Sequence, residues 1–381
     1  MTQLRGTRAA GVLAVIAALA ALGFLAAMPG IIGPGLQPSA TGTAIGSGGP
    51  SAIITASTVP ATLGPSLPPP TVVATPGATP GTTAATTIEP TLRPTAKATA
   101  KPTVKPTAKP STPPSESDSV VLVGAGDIAV CGSAGDSATA ALLDHIAGTV
   151  FTLGDNAYES GTSLEFENCY DPTWGRHFDR TRPSPGNHEY RTAGATGYFG
   201  YFGQRAGDPG KGYYAYDRGA WRIYSLNSNC EFVACGPASA QVAWLKDDMA
   251  ANPHQCTLAY WHHPRYSSGR HGNDPSTDAL WDALYDAGAE IVMAGHDHSY
   301  ERFAPMDGGG DLAPGRGIVS FVVGTGGRDL YDFNDVLSTS RRRNATTWGV
   351  LKLTLSAGAW SSRFMPVAGK SFTDTASGTC H

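Results

Sequence analysis

Residues 291–302 read IVMAGHDHSYER, an apolar run that breaks abruptly into histidine and acidic residues. A short apolar run bounded by glycine predicts a buried strand over Ile291–Gly295. His296 and His298 follow directly, and residues two apart in an extended segment point to the same side. The segment therefore predicts two imidazoles presented together at the carboxyl end of a strand.

The same pattern, an apolar strand followed at once by a polar residue, recurs elsewhere in the chain. Val120–Gly126 and Val150–Gly154 each end at an aspartate, Thr257–Trp261 ends at two histidines, and Tyr213–Asn227 predicts a hairpin. Spaced apolar residues predict three helices, Ser137–Ala147, Ala238–Ala251 and Ser276–Ala287. This alternation predicts a layered α/β fold, in which ligands bind at the carboxyl ends of strands.

Residue types that bind metal ions are concentrated in five segments. These segments are Gly126-Asp127-Ile-Ala, Gly154-Asp155-Asn-Ala-Tyr158, Gly186-Asn187-His188-Glu189, Tyr260-Trp-His262-His263-Pro and Gly295-His296-Asp297-His298-Ser-Tyr300-Glu301-Arg302. Oxygen and nitrogen donors of this kind suit iron, manganese or zinc ions. The glycines allow sharp turns and close approach of neighbouring strands. The sequence thus predicts a metal site along one edge of the fold.

In this order and in these contexts, the five segments resemble the calcineurin-like metallophosphoesterases. The resemblance spans about Gly126 to Arg302. Tyr158, three residues after Asp155, and the ending at His298-Ser-Tyr-Glu-Arg302 resemble the purple acid phosphatase group in particular. The chain departs from the family at Ala129, where the first family motif has glycine. The resemblance implies a layered αββα sandwich, completed by the final strands.

Carried over by position, the resemblance implies a centre for two metal ions, with Asp155 as the bridging ligand. The remaining ligands would be Asp127, Tyr158 and His298 for one ion and Asn187, His262 and His296 for the other. His188 would contact the phosphate and protonate the leaving group, and His271 would support it. His263, beside His262, is interpreted as orienting its neighbours rather than as catalytic.

The resemblance implies a phosphatase that hydrolyses phosphomonoesters by attack of a metal-bound hydroxide. A tyrosinate at Tyr158 favours Fe(III), and the second ion would be divalent iron, zinc or manganese. Two carboxylates and one tyrosinate do not cancel the charge of two such metal ions, so the centre keeps a net positive charge. That charge would attract a small phosphate-ester dianion into an acidic domain.

Two rival functions share these ligand residues. A phosphodiesterase of the same fold would differ only in pocket-lining loops such as Glu159–Phe178 and Arg191–Gly212. A non-catalytic wall-associated binding module would show a broken ligand set, and none of the seven positions is visibly broken. The ligand residues alone do not separate the two esterase functions.

The first 117 residues have a different composition from the remainder. They hold 18 of the 29 prolines and one of the aromatic residues, Phe24. Arg5 and Arg8 precede an uncharged apolar run, so residues 1–36 are predicted to be a signal peptide or a membrane anchor. Residues 37–117, rich in proline and threonine with regularly spaced lysines, are predicted to be a disordered linker that could contact a cell wall or membrane.

Residues 118–381 are predicted to be the catalytic domain, outside the cytoplasm. They carry 20 basic against 29 acidic residues, which argues against a specific nucleic-acid partner. All six cysteines lie here, an even number that favours disulfides in an exported protein. Fifteen pairings exist, and proximity in sequence favours only Cys230 with Cys235. The sequence does not define the oligomeric state or decide between signal and anchor.

Overall fold

The computed structural model describes residues 119–381; the predicted signal or anchor and the linker lie outside the described residues. Thirteen strands form in chain order: β1 Val120–Ala125, β2 Thr149–Thr152, β3 Thr181–Arg182, β4 Tyr214–Arg218, β5 Trp221–Ser225, β6 Cys256–Tyr260, β7 Ile291–Ala294, β8 Tyr300–Phe303, β9 Val319–Val323, β10 Ser340–Asn344, β11 Gly349–Ser356, β12 Ala359–Pro366 and β13 Thr375–Thr379. The α-helices are α1 Gly135–Leu143, α2 Ser163–Glu165, α3 Thr196–Phe202, α4 Ala240–Ala251 and α5 Asp278–Asp286.

The strands form two mixed sheets. One sheet has the order β13-β12-β11-β1-β2-β3, and the other has the order β10-β8-β9-β7-β6-β5-β4. Within the first sheet β1, β2 and β3 run parallel, and within the second β5, β6, β7 and β9 run parallel. The carboxyl ends of neighbouring parallel strands meet at one edge of a sheet, so each sheet has an edge suited to a ligand site.

The period-two alternation along β6 shows how the layers are held together. Leu258 and Tyr260 pack in a core built from residues of both sheets. Ala259 lies on the opposite face, in a second core that includes Leu245 of α4 and Trp281 of α5. Successive side chains of a strand point to opposite faces, so this one strand joins the sheet–sheet core to the sheet–helix core. The predicted layered α/β fold is confirmed.

The predicted elements appear close to their expected places. The four strands that lead to the metal-binding segments are β1, β2, β6 and β7, each within two residues of the predicted bounds. The predicted hairpin is β4 paired antiparallel with β5. The three predicted helices are α1, α4 and α5, and α5 begins after a short 3₁₀ turn at Pro275–Thr277.

Three disulfides pair the six cysteines. They join Cys131 to Cys169, Cys230 to Cys235 and Cys256 to Cys380. The Cys230–Cys235 pair is the one that the sequence favoured. Cys256 begins β6, so its bond to Cys380 ties the end of the chain to a central strand of the second sheet. Among residues 119–381, every helix is too short or too polar to cross a bilayer.

Candidate metal centre

The predicted ligands lie where the parallel strands of both sheets end. Asp127 follows β1, Asp155 follows β2, His262 follows β6 and His296 follows β7. Asn187 comes five residues after β3, the strand next to β2. The sheet topology therefore brings residues that are far apart in sequence to one edge.

Three of these strand ends have a left-handed backbone. The φ angles are 60° at Asp127, 49° at Asp155 and 69° at His296, and Ala195 is the other non-glycine residue with positive φ in the described part of the chain. Such conformations cost free energy and concentrate at functional sites. The turn at His296 is held by its own N–H, which donates to Asp127 Oδ2 at 2.8 Å.

Two glycines allow the strand ends to approach this closely. A Cβ atom on Gly186 would lie 2.2 Å from Asp155 Oδ1, and one on Gly154 would lie 2.6 Å from His262 Nδ1. Neither contact is sterically acceptable. Only a residue without a Cβ atom fits at these two positions, as the sequence analysis predicted for the glycines of these segments.

The first group of predicted ligands surrounds the hydroxyl of Tyr158. This oxygen lies 2.9 Å from Asp127 Oδ1 and 3.0 Å from Asp155 Oδ2. His298 Nε2 lies 3.4 Å from the Tyr158 oxygen and 3.4 Å from Asp127 Oδ1. All four side chains thus direct an oxygen or nitrogen atom toward one small volume.

The second group surrounds Nε2 of His262. This nitrogen lies 2.9 Å from Asn187 Oδ1, 3.2 Å from His296 Nδ1 and 3.3 Å from Asp155 Oδ2. Asp155 Oδ2 therefore belongs to both groups. Its position between them is the one that the sequence analysis gave to a bridging ligand.

The ligand atoms of His262 and His298 suit cations because a hydrogen bond on the other nitrogen of each ring fixes its tautomer. His262 Nδ1 donates to the carbonyl oxygen of Leu153 at 2.7 Å, and His298 Nδ1 donates to that of Asp329 at 2.8 Å. A carbonyl oxygen only accepts, so in each neutral ring the lone pair is on Nε2 and faces the other acceptors. Converging lone pairs need a positive partner, and backbone carbonyls commonly orient ligating histidines in this way. The residues fit metal ions.

The buried charges of this site shift the pKa values of its members. Burial raises the pKa of Tyr158 well above its usual value, and the charges of Asp127 and Asp155 raise it further. Burial lowers the pKa of His262, but the charge of Asp155, its hydrogen bond to the ring and the charge of Asp127 together outweigh burial and raise that pKa to about 9. The negative charge of the carboxylates therefore retains both of these protons, one on the neutral Tyr158 hydroxyl and one on cationic His262. A bound cation would displace them, because it neutralises the same charges.

Glu189 supports the centre, a role that the sequence analysis did not assign. Its carboxylate accepts hydrogen bonds from four backbone N–H groups: those of Gly186 at 2.7 Å, Asn156 at 2.8 Å, Asp155 at 3.0 Å and Ala157 at 3.3 Å. Glu189 is fully buried, and burial together with the charge of Asp155 raises its pKa to about 8. The only signal in the sequence was its place directly after Asn187-His188.

The two predicted catalytic histidines lie beside the two groups of ligands. His188 donates through Nδ1 to the carbonyl oxygen of Glu159 at 2.6 Å, and its Nε2 lies 3.8 Å from Asp155 Oδ2. The ring of His271 lies 4.2 Å from that of His296, centre to centre. Both residues are close enough to the predicted ligands to contact a molecule bound there.

His263 offers a proton rather than a lone pair to this region. Ser228 Oγ accepts the backbone N–H groups of His262 at 3.2 Å and His263 at 2.9 Å, so its hydroxyl proton is free to donate to His263 Nδ1 at 2.9 Å. An Nδ1 that accepts leaves the ring proton on Nε2. His263 can therefore donate a hydrogen bond next to His262 and His296, with which it forms a cluster.

Comparisons with known proteins agree with this geometry. The sequence profile of the calcineurin-like phosphoesterases matches residues 121–300. The chain is 28% identical over 215 residues to purple acid phosphatase 15 of Arabidopsis thaliana, an alignment that covers 47% of this chain and 40% of that protein. The chain therefore spans less than half the length of this relative.

Solved structures show the same fold at low sequence identity. The purple acid phosphatase PPD1 of yellow lupin superposes with a TM-score of 0.55 at 19% identity, over 68% of this chain and 53% of that one. GAP50, described as the anchor in the inner membrane complex of Plasmodium, superposes with a TM-score of 0.55 at 13% identity, over 69% and 89%. Residues 121–300 of this chain thus match the calcineurin-like phosphoesterase family, and the chain is similar to the purple acid phosphatases.

Proposed function

We propose that this protein is an exported binuclear-metal phosphatase that hydrolyses phosphomonoesters. The observation that carries the proposal is the convergence of seven predicted ligands on two adjacent points that share Asp155. The family match and the similarity to purple acid phosphatases support the same reaction class. Export is supported by the apolar segment behind Arg5 and Arg8 and by the three disulfides.

The chain's own residues have separable tasks in this proposal. The seven ligands would hold two ions, which when bound would polarise the phosphoryl group and activate the nucleophile. His263, which the sequence analysis interpreted as orienting its neighbours, is proposed here to donate from Nε2 to a phosphoryl oxygen, because its Nδ1 accepts from Ser228 Oγ. His188, whose Nδ1 donates to the carbonyl oxygen of Glu159, would deliver a proton from Nε2 to the leaving oxygen when its ring is protonated at both nitrogens. Glu189 would hold the backbone that carries Asp155 and Asn187.

Fe(III) at the Tyr158 position with a divalent partner is the metal assignment that we propose. The Tyr158 oxygen lies within 3.0 Å of two carboxylate oxygens, so it can join them around one ion. A phenolate is a strong ligand for a trivalent ion and supplies negative charge that such an ion requires.

The experiment that tests the function uses the full chain with p-nitrophenyl phosphate and bis-p-nitrophenyl phosphate as substrates. We expect the monoester to be hydrolysed with the higher kcat/KM, and a chelator to remove the activity. A higher kcat/KM for the diester would favour the phosphodiesterase. No hydrolysis of either ester by metal-replete protein would favour the non-catalytic binding module.

Replacing Tyr158 with phenylalanine tests the iron assignment. The native protein should contain two metal ions per chain and show a visible tyrosinate-to-iron band, and Tyr158→Phe should lose the band because it lacks the phenolate. Tyr216→Phe is the matched control, since the hydroxyl of Tyr216 contacts Tyr260 and no predicted ligand. Absorption spectra with metal analysis decide the matter. A band that persists unchanged in Tyr158→Phe excludes Tyr158 as the iron ligand.

Replacing His188 with alanine should slow turnover while leaving metal binding intact. A positioned general acid contributes roughly 10²–10⁴-fold to a rate, so kcat should fall by about that factor. His145 is an exposed histidine that precedes β2 in the chain. His145→Ala is the matched control and should keep the native kcat. Parallel loss of metal and activity in His188→Ala would instead show a structural role.

A further inference from the structure

A groove beside the candidate centre is not used by the reaction as proposed so far. Its volume is about 380 Å³, and its walls include Asn187 and His263. Asn187 is a predicted ligand, so a phosphate ester held at the centre would lie next to this groove. Small-molecule sites commonly have volumes of about 300–1,000 Å³. The groove is therefore placed and sized to take a leaving group.

One wall of the groove is an aromatic platform. Phe232 is 59% exposed, the most exposed aromatic ring among the large exposed apolar side chains of the described residues. Its ring stacks on Tyr190 with centres 4.6 Å apart and an interplanar angle of 19°. Tyr190 thus covers one face of Phe232, and much of the remaining ring surface is open to solvent. An open aromatic face beside a groove is a surface on which a flat ring can stack.

The platform is held rigidly, so it is in place before any ligand arrives. The Cys230–Cys235 disulfide closes the loop that carries Phe232, and the Phe232 N–H donates to the carbonyl oxygen of Asn229 at 2.9 Å. Beneath it, Asn227 Nδ2 donates to the hydroxyl of Tyr190 at 2.7 Å. A preorganised surface loses little entropy when it binds.

The polar groups of the groove select the charge of the leaving group. Glu231 and Asp274 line it, together with Ser228, Asn229 and Ser276, and its walls within the described chain include no lysine or arginine. Carboxylates accept hydrogen bonds from amino and hydroxyl groups and repel further phosphates. The groove therefore favours an uncharged ring system with hydrogen-bond donors over a polyanion.

We propose that this groove binds the nucleoside of a nucleoside monophosphate, with the base stacked on Phe232. The inference rests on the proposed phosphatase function and names its substrate class. Hydrolysis adds water across the phosphorus–oxygen ester bond and releases the nucleoside and inorganic phosphate. The base contributes to binding without touching the reacting atoms.

The test compares adenosine 5′-monophosphate with ribose 5-phosphate, which has the same sugar phosphate and no base. The native full-length protein should hydrolyse the nucleotide with about a tenfold higher kcat/KM, since stacking of one base contributes roughly that factor. Phe232→Ala should bring the two values together, and Phe232→Trp should restore the preference. Leu312→Ala, which removes another more than half-exposed apolar side chain, should keep the native ratio.

A binding measurement separates this inference from the proposed function. Adenosine lacks the phosphate, so its dissociation constant from calorimetry should rise about tenfold in Phe232→Ala whether or not turnover occurs. Failure of the native protein to hydrolyse either ester would overturn the proposed function. Two outcomes would overturn the nucleoside site alone. One is that the native protein hydrolyses both esters with equal kcat/KM. The other is that Phe232→Ala keeps both the native nucleotide preference and the native adenosine affinity.

Discussion

Asp155→Asn is expected to lower kcat by roughly a thousandfold or more and to reduce the metal content below two ions per chain. The substitution keeps the shape of the side chain and the acceptor for the His188 N–H. It removes the charge at Oδ2, the atom that lies 3.0 Å from the Tyr158 oxygen and 3.3 Å from His262 Nε2. A neutral amide cannot bridge two cations with comparable strength, so both sites lose a ligand at once.

Metal analysis of the purified variant, alongside kcat on a phosphomonoester, measures this effect. Asp136→Asn is the matched control, because Asp136 is also a buried carboxylate but its Oδ1 accepts the N–H of Ser137. The control should retain two ions and near-native turnover. An Asp155→Asn protein with two bound ions and near-native kcat would contradict the bridging role.

Glu189→Ala is expected to lower the free energy of unfolding by about 4 kcal/mol. The change leaves four buried N–H groups without an acceptor, and each costs roughly 1 kcal/mol or more. For a domain of this size such a loss lowers Tm by about 10 °C. Calorimetry or thermal unfolding followed by circular dichroism measures the shift.

Glu165 offers a matched comparison for Glu189. Its carboxylate also accepts several backbone N–H groups, including those of Glu159 at 2.6 Å and Thr162 at 2.8 Å, but the side chain is partly exposed. Water replaces a lost acceptor at such a site, so Glu165→Ala should cost only about 1 kcal/mol. Equal Tm shifts in the two variants would refute the special role of the buried carboxylate.

The strand ends of the candidate centre could be predicted because their signals are local. A short apolar run followed by Gly-Asp or Gly-His marks both the strand and the turn that leaves it, as at Asp127 and His296. Parallel packing then brings such ends together. The assignment of Asp155 as the bridge came from the family resemblance and stays a prediction, although its Oδ2 lies between both groups.

The supporting contacts could not be predicted because they depend on tertiary structure. Glu189 accepts N–H groups more than 30 residues away, at Asp155 and Asn156, and no local pattern encodes that contact. The partners of Cys131 and Cys256 lie 38 and 124 residues away, and only the fold brings them within bonding distance. By contrast, Cys230 and Cys235 lie in one turn of the chain.

The groove beside the centre could not be predicted from the sequence, for a different reason. The sequence analysis placed specificity in Glu159–Phe178 and Arg191–Gly212, whereas the groove next to Asn187 is lined by the segment after β5 that carries Phe232. An exposed phenylalanine has no periodic signature, because it belongs to no apolar face of a helix or strand. Its relation to Tyr190 appears only when the two loops are packed together.

The left-handed backbone at Asp127, Asp155 and His296 means that thermal stability and catalytic activity favour different residues at these positions. Each of these backbone conformations costs of order 1 kcal/mol that a glycine at the same position would not cost. Glycine at any of the three would relieve that cost and remove a predicted metal ligand. Directed evolution that screened only for survival of heating would therefore erode this centre first, and a screen that alternated heating with turnover would be needed to preserve it.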